Sequence, residues 1–429
     1  MNNPGDAVSE QRTVSRSETA PPHRRLARCG VWLGLAIVIG GVTLKLADVA
    51  VGWACGTESR HLLRLAPHAD TPHRSSEYDY VFRTNSLGLR GPDRPFAKPP
   101  GTRRIVVVGD SFVAGWGVAE EHLFTSVLER QLNAGGADSP RTEVINVGRT
   151  GTSTIRELDL YEQIGRRFSP DVVVLVVFLG NDLAEIVEEH DRDELARWHP
   201  DGIARRSAFG WCPHLYLELA MAKQARDAAG ESRERTEQDL LDSLRQTAIR
   251  RGIDPAEVAK RFQSLPADVR DESLHGRFPM IYIEHACLDP ARYRHALDAD
   301  SEFEAQAWPR MESHLSRIHA AVRADSAELV LLVIPSAVQV DREAFDFQRQ
   351  LGFDMDEAWL TKAVRMKSLM ALWNLTDNMT ENVRLLDLTL PARKSATRLY
   401  HVRDGHFNAA GHAFAAEALA EFLFNPGEP

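Results

Sequence analysis

The feature that most constrains the fold is an unbroken apolar run, Val172–Leu179, which follows Asp171 and ends in Gly180-Asn181-Asp182. A largely β-branched run without polar alternation is typical of a strand that is buried on both faces of a parallel sheet. Such a strand requires helices on both sides of its sheet, so the same chain must supply alternating strands and helices.

The rest of the sequence supplies that alternation. Before the run, the strand-like segments "RIVVVGD" and "TEVINVG" are each followed by an amphipathic helical segment. After a long polar stretch, the alternation resumes with the strand-like segments "AELVLLVIPS" and "NVRLLDLT" and the helices around them. This order predicts an α/β fold with a doubly wound parallel sheet that is interrupted by one long insertion.

The predicted organisation has a membrane-associated start, an α/β domain in two pieces and an insertion between them. In order, the predicted parts are a polar tail at 1–28, a transmembrane anchor at 29–53, an irregular lead-in at 54–100, the α/β domain at 101–184 and 311–425, and a mostly helical insertion at 185–310. We expect the insertion to form a cap over the carboxyl edge of the sheet.

The anchor is predicted from the segment "CGVWLGLAIVIGGVTL", which carries no charge. A straight spanning helix needs about 20 residues, and the apolar character continues far enough for 29–53 to span. Lys45 and Asp48 are then expected near the far interface. A cluster of arginines at 24–28 precedes the segment, which predicts a cytoplasmic N-terminus and an exported body. This topology is that of an inner-membrane protein whose α/β domain lies in the periplasm or outside the cell.

Other interpretations of the N-terminus remain open on sequence grounds. The segment is also compatible with a buried core helix, or with a signal peptide cleaved at Gly52-Trp53-Ala54. Cys55 follows that site and raises the alternative of a lipid-modified cysteine, although the preceding residues fit such a site poorly. We favour an uncleaved anchor.

Composition excludes some classes of function. The formal net charge of −10 argues against nucleic acid as the main partner, because phosphate binding needs a basic surface. The histidines are scattered and the four cysteines show no zinc-like pairing, so neither a metal nor a cofactor is predicted. Cys212 and Cys287 are compatible with a disulfide in an oxidising compartment, or with two separate buried thiols.

Polar residues and glycines follow the predicted strands. Asp110-Ser111 follows the first strand, Gly148 and Gly151 follow the second, and Asn181 follows the third. The segment "RDGHFNAAGH" precedes the last predicted helix. Because ligands of open α/β sheets bind outside the carboxyl ends of the strands, we expect these residues to share one cleft.

These residue types match the requirements of acyl transfer. The Ser111 hydroxyl is a weak nucleophile that needs a neighbouring base, and His406 suits that part. The imidazole in turn needs an acceptor that fixes its tautomer, and Asp404 is the candidate. Donors for a tetrahedral oxyanion are available at the Ser111 N–H, the Gly151 N–H and the Asn181 amide.

Two other glycine-rich motifs do not fit the segment "RRIVVVGDSFVAGWGV". A phosphate-binding loop requires Gly-Lys-Ser/Thr at the start of its helix, and this segment has no such sequence. The nucleophile elbow of α/β-hydrolases requires Gly-x-Ser-x-Gly, and here the second glycine is misplaced.

The chain resembles the SGNH, or GDSL, serine hydrolases. Gly109-Asp110-Ser111 is similar to the first block of that family, and Gly180-Asn181-Asp182 to the third. In the second block the resemblance favours Gly151 over Gly148 as the oxyanion glycine. It implies a flavodoxin-like three-layer α/β/α fold, with Ser111 as nucleophile and Asn181 in the oxyanion hole.

The last block departs from the commonest pattern of the family. That pattern has Asp-x-x-His, whereas here Arg403 stands three residues before His406 and the pair is Asp404-x-His406. This spacing resembles some subgroups that act on bacterial polysaccharides. Asp387, at the end of the predicted strand "VRLLD", is therefore the alternative acceptor. The lead-in "TNSLGLRGPD" is also similar to exported bacterial members, and the resemblance does not cover the insertion.

The resemblance implies a membrane-anchored serine esterase that removes short acyl groups, O-acetyl groups foremost, from cell-surface or secreted polysaccharide. Its expected partners are an acylated carbohydrate or another ester, and the membrane. One alternative is an O-acyltransferase that uses the same triad to acetylate a glycan, and lipid esters are a further substrate option. Another alternative is a catalytically inactive binding module on the same fold.

Overall fold

The structure, a computed structural model, describes most of the chain. The described residues are 22–55, 67–135, 141–178, 180–192, 236–297, 301–361 and 383–424, together with 211, 212, 214–216, 219, 372 and 374–376. Residues 1–21 of the predicted tail and much of the predicted insertion before residue 236 lie outside this set.

A long helix, α1 (Pro22–Cys55), precedes the rest of the fold. Its 22-residue segment Val31–Gly52 is long and apolar enough to cross a membrane, and it is the one such helix among the residues that the structure describes. Its apolar side chains are mostly exposed, as Trp32 and Leu33 illustrate. The helix is therefore not a buried core helix, and its composition suits the predicted span at 29–53.

The two charged side chains of that apolar segment are paired. Lys45 Nζ lies 3.1 Å from Asp48 Oδ2 and donates a 2.8 Å hydrogen bond to the Trp211 carbonyl oxygen. The buried Asp48 carboxylate also accepts a 2.9 Å hydrogen bond from the Leu215 N–H. Pairing lowers the free-energy cost of placing charges in an apolar helix. The hydrogen bonds to Trp211 and Leu215 connect α1 to residues of the insertion.

The lead-in contains a hairpin that the irregular prediction for 54–100 did not include. Strands β1 (Asp70–Arg74) and β2 (Asp79–Arg83) pair antiparallel. The Ser75 N–H donates to the Tyr78 carbonyl oxygen at 2.8 Å and closes the turn. Tyr80 and Phe82 are buried, so the alternation in "DYVFR" was the available signal for this strand.

The central sheet has five parallel strands, which confirms the predicted α/β fold. Its members are β3 (Thr102–Gly109), β4 (Arg141–Gly148), β5 (Val172–Phe178), β6 (Glu328–Ile334) and β7 (Val383–Asp387). The strand order is β4-β3-β5-β6-β7, so the apolar run β5 is central as expected. All five carboxyl ends therefore lie at one edge of the sheet.

Helices precede, follow and connect these strands. In chain order they are α2 (Ser111–Ala114), α3 (Phe124–Leu132), α4 (Thr154–Gln163), α5 (Asp182–Arg192), α6 (Glu237–Arg251), α7 (Pro255–Ser264), α8 (Ala267–Leu274), α9 (Met280–Leu288), α10 (Arg292–Leu297), α11 (Ser301–Ala324), α12 (Ala337–Val340), α13 (Arg342–Gln350), α14 (Ala358–Thr361), α15 (Thr389–Lys394) and α16 (Ala409–Phe424). Short 3₁₀ turns lie at Glu120–His122 and Gly165–Phe168.

The sheet is covered on both faces by helices. On one face, Val173 and Val177 of β5 pack in a cluster with side chains of α4, α5 and α11. On the other, Val172 and Val176 pack with side chains of α2, α3 and α16. Burial of alternate residues on opposite faces explains why the run has no polar positions, and it produces three α/β/α layers.

The described part of the insertion is helical. Helices α6–α10 lie between residues 236 and 297 and share an apolar cluster with Phe347 of α13, so the insertion packs on the α/β domain. Cys287 belongs to that cluster. Cys287 and Cys212 are both buried free thiols, as in the unpaired alternative.

Candidate active site

Ser111 lies at the carboxyl end of β3, where the strand turns abruptly into the short helix α2. Asp110 Oδ1 caps that helix by accepting a 2.9 Å hydrogen bond from the Phe112 N–H. A Cβ at Gly109 would lie only 2.5 Å from Val113 Cγ2, so glycine allows the strand and the helix to approach closely. Burial raises the pKa of Asp110 to about 6, even though its hydrogen bonds and the charge of His406 act in the opposite direction.

Three of the predicted site residues are in direct contact. Ser111 Oγ lies 2.8 Å from His406 Nε2, and His406 Nδ1 lies 2.5 Å from Asp404 Oδ1. An ionised carboxylate only accepts hydrogen bonds, so Nδ1 carries the proton and Nε2 is left to accept from the Ser111 hydroxyl. The geometry is that of a nucleophile, a base and the acceptor that orients the base.

The two titratable members of this group stabilise each other's charged forms. Burial lowers the pKa of His406, but the Asp404 carboxylate outweighs that effect and leaves this pKa raised. Burial likewise raises the pKa of Asp404, but the imidazole and the hydrogen bonds to the carboxylate leave it lowered. Asp404 therefore stays ionised and favours the imidazolium that forms when His406 takes a proton.

The structure brings Asp404, rather than Asp387, to His406. Asp387 stands at the end of β7, where its Oδ1 accepts a 2.8 Å hydrogen bond from the Thr389 N–H. The Asp404-x-His406 spacing is closed by Gly405, whose φ of 78° lies in the left-handed region that glycine adopts readily. Asp404 Oδ1 also accepts from the backbone N–H of His406, at 3.3 Å.

The two candidate glycines of the second block have different environments. Gly148 is buried, and a Cβ there would lie 2.3 Å from the Ala114 backbone nitrogen. Its N–H already donates to Asn146 Oδ1 at 3.0 Å. Gly151 is exposed with open space around it, and no described residue accepts its N–H. Gly151 is therefore the glycine with a free donor, whereas Gly148 allows close packing of α2 on β4.

Asn181 lies just after β5, next to the start of α5, and part of its hydrogen-bonding capacity is used. Its Nδ2 donates a 2.9 Å hydrogen bond to Glu185 Oε1, while its buried Oδ1 has no partner among the described residues. A primary amide has two N–H donors, so one remains for an oxyanion. Among the described residues, no hydrogen bond joins Asn181 and Ser111.

Sequence reasoning missed four residues that surround Asp404. Tyr78 Oη donates to Asp404 Oδ2 at 2.9 Å, and Trp116 Nε1 approaches the same oxygen at 3.2 Å. Glu77 accepts the Asp404 backbone N–H at 2.9 Å, and Tyr282 of the insertion donates to the Asp404 carbonyl oxygen. Nothing in the local sequence around Tyr78 or Tyr282 indicates these long-range contacts.

Among the described residues, no group of three or more His, Cys, Asp or Glu side chains is placed to hold a metal ion. The site presents a serine hydroxyl, an imidazole and a carboxylate. A serine, histidine and aspartate in hydrogen-bonded series define the class of serine hydrolases.

Comparison with known proteins supports this class. Residues 107–300 match the family described as GDSL-like Lipase/Acylhydrolase. This match confirms the resemblance to GDSL hydrolases that the sequence shows. The matched segment includes Ser111 and Asn181 but ends before Asp404 and His406, whose assignment depends on the geometry above. No curated protein sequence matches the chain.

Several solved structures are similar to the chain. They include a protein of the G-D-S-L family from Desulfitobacterium hafniense DCB-2 (10% identity, 74% of this chain and 98% of that chain, TM-score 0.32), the acetyl xylan esterase AlAXEase (11%, 75% and 99%, 0.35) and the lipase/acylhydrolase from Enterococcus faecalis (13%, 76% and 98%, 0.34).

Proposed function

We propose that the protein is a membrane-anchored serine esterase that removes short acyl groups, O-acetyl groups foremost, from cell-surface or secreted polysaccharide. The observation that carries this proposal is the hydrogen-bonded series from Ser111 Oγ through His406 to the buried Asp404. This series supplies a nucleophile, a base in the required tautomer and a charge that stabilises the protonated base.

The proposed reaction has two halves. Ser111 Oγ attacks the ester carbonyl carbon while His406 Nε2 takes the hydroxyl proton. The tetrahedral intermediate collapses, and the alcohol leaves with the proton that His406 returns to it. Water then attacks the acyl-enzyme, again with His406 as base, and releases the acid. Throughout, Asp404 holds the imidazole in place and remains ionised.

The oxyanion of the intermediate needs preorganised donors. We assign this part to the N–H groups of Ser111 and Gly151 and to the second amide proton of Asn181. The open surroundings of Gly151 and the single hydrogen bond from the Asn181 amide to Glu185 support the assignment. Each donor of this kind contributes about 3 kcal/mol to transition-state stabilisation.

The proposed location follows from α1. Its segment Val31–Gly52 is long enough to span a membrane, and arginines precede it, so we assign the N-terminus to the cytoplasm and the α/β domain to the far side. An anchored esterase on that side faces glycans at the cell surface. A reporter fused after Thr57 should be active only outside the cytoplasm, whereas activity only inside would refute this topology.

The first experiment measures hydrolysis of p-nitrophenyl acetate by the full chain in detergent. Ser111→Ala and His406→Ala should each lower kcat/KM by at least about 10³-fold, because either change removes the nucleophile–base pair. Ser126→Ala, a serine of α3 away from this site, should leave it unchanged and controls for handling. Labelling by a serine-directed fluorophosphonate should occur in the wild type and disappear in Ser111→Ala.

The same experiment separates the alternatives. Labelling of Ser111 without hydrolysis would favour transfer of the acyl group to a sugar hydroxyl in place of water. A folded wild type that shows neither labelling nor hydrolysis would refute an activated serine and favour a binding module. Release of acetate from an O-acetylated polysaccharide, with no release by Ser111→Ala, would establish the substrate class.

A further inference from the structure

We propose that Tyr78 and Trp116 are positioning residues that hold the outer oxygen of the Asp404 carboxylate, an inference that rests on the proposed function. The Asp404 carboxylate is almost completely buried, and its Oδ1 faces His406. Its Oδ2 points the other way and receives both aromatic donors, Tyr78 Oη at 2.9 Å and Trp116 Nε1 at 3.2 Å. The carboxylate is thereby fixed from both sides.

Neither donor transfers its proton to the Asp404 carboxylate. An indole N–H only donates, and burial, followed by the nearby Asp404 carboxylate, raises the pKa of the Tyr78 hydroxyl. Tyr78 therefore remains a protonated donor wherever the enzyme works. Two neutral donors lower the energy of the ionised carboxylate without offering it a proton, which keeps Asp404 available as an acceptor for His406.

The short spacing of the last block explains why outside support is needed. Asp404 precedes His406 by two residues in a turn at Gly405, so the chain itself fixes Oδ1 through the His406 N–H but leaves Oδ2 unconstrained. A buried carboxylate oxygen without a partner is costly, and a carboxylate free to rotate would lose its alignment with the imidazole. The hydrogen bonds from Tyr78 and Trp116 give Oδ2 its partners and prevent rotation of the carboxylate.

Trp116 also donates hydrogen bonds to both Ser111 and Asp404, the two outer members of the triad. Its backbone N–H donates to the Ser111 carbonyl oxygen at 3.0 Å, while its indole lies against Asp404. The indole N–H is shared, because Tyr78 Oη lies 3.0 Å from Nε1. Tyr78 is consequently the closer donor to Asp404, whereas the indole N–H of Trp116 is shared between Asp404 and Tyr78. We therefore expect loss of the Tyr78 hydroxyl to lower activity more than loss of the indole N–H.

The experiment compares Tyr78→Phe with Tyr161→Phe in the full chain. Tyr161 is a matched control, since it is a buried tyrosine whose hydroxyl donates to an aspartate, Asp325, at 2.7 Å in another part of the fold. Tyr78→Phe should lower kcat for p-nitrophenyl acetate about tenfold with KM within about twofold, as expected for one lost hydrogen bond to a charged group. Tyr161→Phe should leave both unchanged.

A second measurement distinguishes positioning from general support of the fold. The rate of fluorophosphonate labelling at Ser111 should fall by the same factor in Tyr78→Phe, but not when Tyr78→Phe is added to Asp404→Asn, because the donor acts only through that carboxylate. A tenfold further loss in the Asp404→Asn background would overturn the inference. So would a Tyr78→Phe variant that is labelled as fast as the wild type.

The same readout separates failure of this inference from failure of the proposed function. If the folded wild type is not labelled at all, no activated serine exists, and both proposals fall together. If the wild type is labelled and Tyr78→Phe has no effect, only the role of Tyr78 falls. Trp116→Phe, tested alongside, should show a smaller loss than Tyr78→Phe.

Discussion

The two halves of the candidate active site are positioned in different ways. Ser111 stands between β3 and α2, and the residues that fix it, such as Asp110 and Val113, are its immediate neighbours or lie on adjacent strands. Asp404 and His406 lie instead on a loop before α16. The loop is held by side chains far away in sequence, with Tyr78 separated from Asp404 by 326 positions.

This difference separates two kinds of support. The nucleophile depends on close packing of a buried sheet, so a change there should affect the stability of the whole domain. The base and its acceptor depend on a few directed hydrogen bonds from the hairpin, from Trp116 and from the insertion. A change among those bonds should affect catalysis more than stability.

The largest expected effect tests the acceptor itself. Asp404→Asn should lower kcat/KM by about 10⁴-fold, because the amide favours the wrong tautomer of His406 and removes the charge opposite the imidazolium. Asp387→Asn should stay within about threefold of the wild type, since asparagine also accepts the Thr389 N–H at that cap. Hydrolysis of p-nitrophenyl acetate measures both, and the reverse ranking would move the assignment to Asp387.

A second change tests the packing of the nucleophile. Gly148→Ala should lower the free energy of unfolding by about 3 kcal/mol, because its Cβ would lie 2.3 Å from the Ala114 backbone nitrogen, which cannot move aside cheaply. Gly252→Ala is the control, since its φ is 69° but its surroundings are open, and it should cost only about 1 kcal/mol. Chemical denaturation measures both values. Equal losses in the two variants would contradict close packing as the cause.

A third test uses pH. The Asp404 carboxylate raises the pKa of His406 against the effect of burial, and a general base works only when it is neutral. In the wild type, kcat/KM should therefore fall as pH drops through this raised pKa. Asp404→Asn removes the largest influence that raises the pKa of His406 and leaves only the smaller one of Asp110, so the acid limb of its weaker activity should move to lower pH. In Asp387→Asn the acid limb of the kcat/KM profile should stay at the pH of the wild type. An acid limb in Asp404→Asn that stays at that pH, or moves to higher pH, would contradict this account.

Much of the sheet was predictable from sequence because burial on both faces leaves a simple pattern. The runs that form β3, β5 and β6 have little polar alternation, and their order along the chain indicated a parallel sheet. The buried Arg104 of β3 was not predictable, because its charge is satisfied by Glu143 and by carbonyl groups of the lead-in. Such partners become visible only once the chain is folded.

The same limit applies to the site. Ser111, Asp404 and His406 stand in short motifs whose chemistry is local and recognisable. Tyr78 and Tyr282 belong to segments without a motif, and their importance comes from contacts across the fold. Sequence reasoning therefore found the residues proposed to react and missed the residues that hold them.

The smallest expected effect tests whether the insertion also supports the loop. Arg403 donates to Asp268 and Glu272 of α8 at 2.9 Å each, and its guanidinium lies 5.0 Å from the ring centroid of Phe347. Partly exposed ion pairs contribute at most about 1 kcal/mol. Arg403→Ala should therefore lower kcat/KM about threefold, measured with p-nitrophenyl acetate, without a comparable change in the free energy of unfolding.

Arg342 provides the matched control for that change. It also combines ion pairing, to Glu357, with a phenylalanine ring, Phe345, at 5.3 Å, but it lies on α13 away from Asp404. Arg342→Ala should leave kcat/KM unchanged. If Arg403→Ala also has no effect, the ion pairs from Arg403 to α8 are not part of the loop's support, which then comes from the hairpin, Trp116 and Tyr282. A loss of about tenfold would instead give the insertion a share in positioning Asp404 equal to that expected for Tyr78, since both would then act on the same short turn.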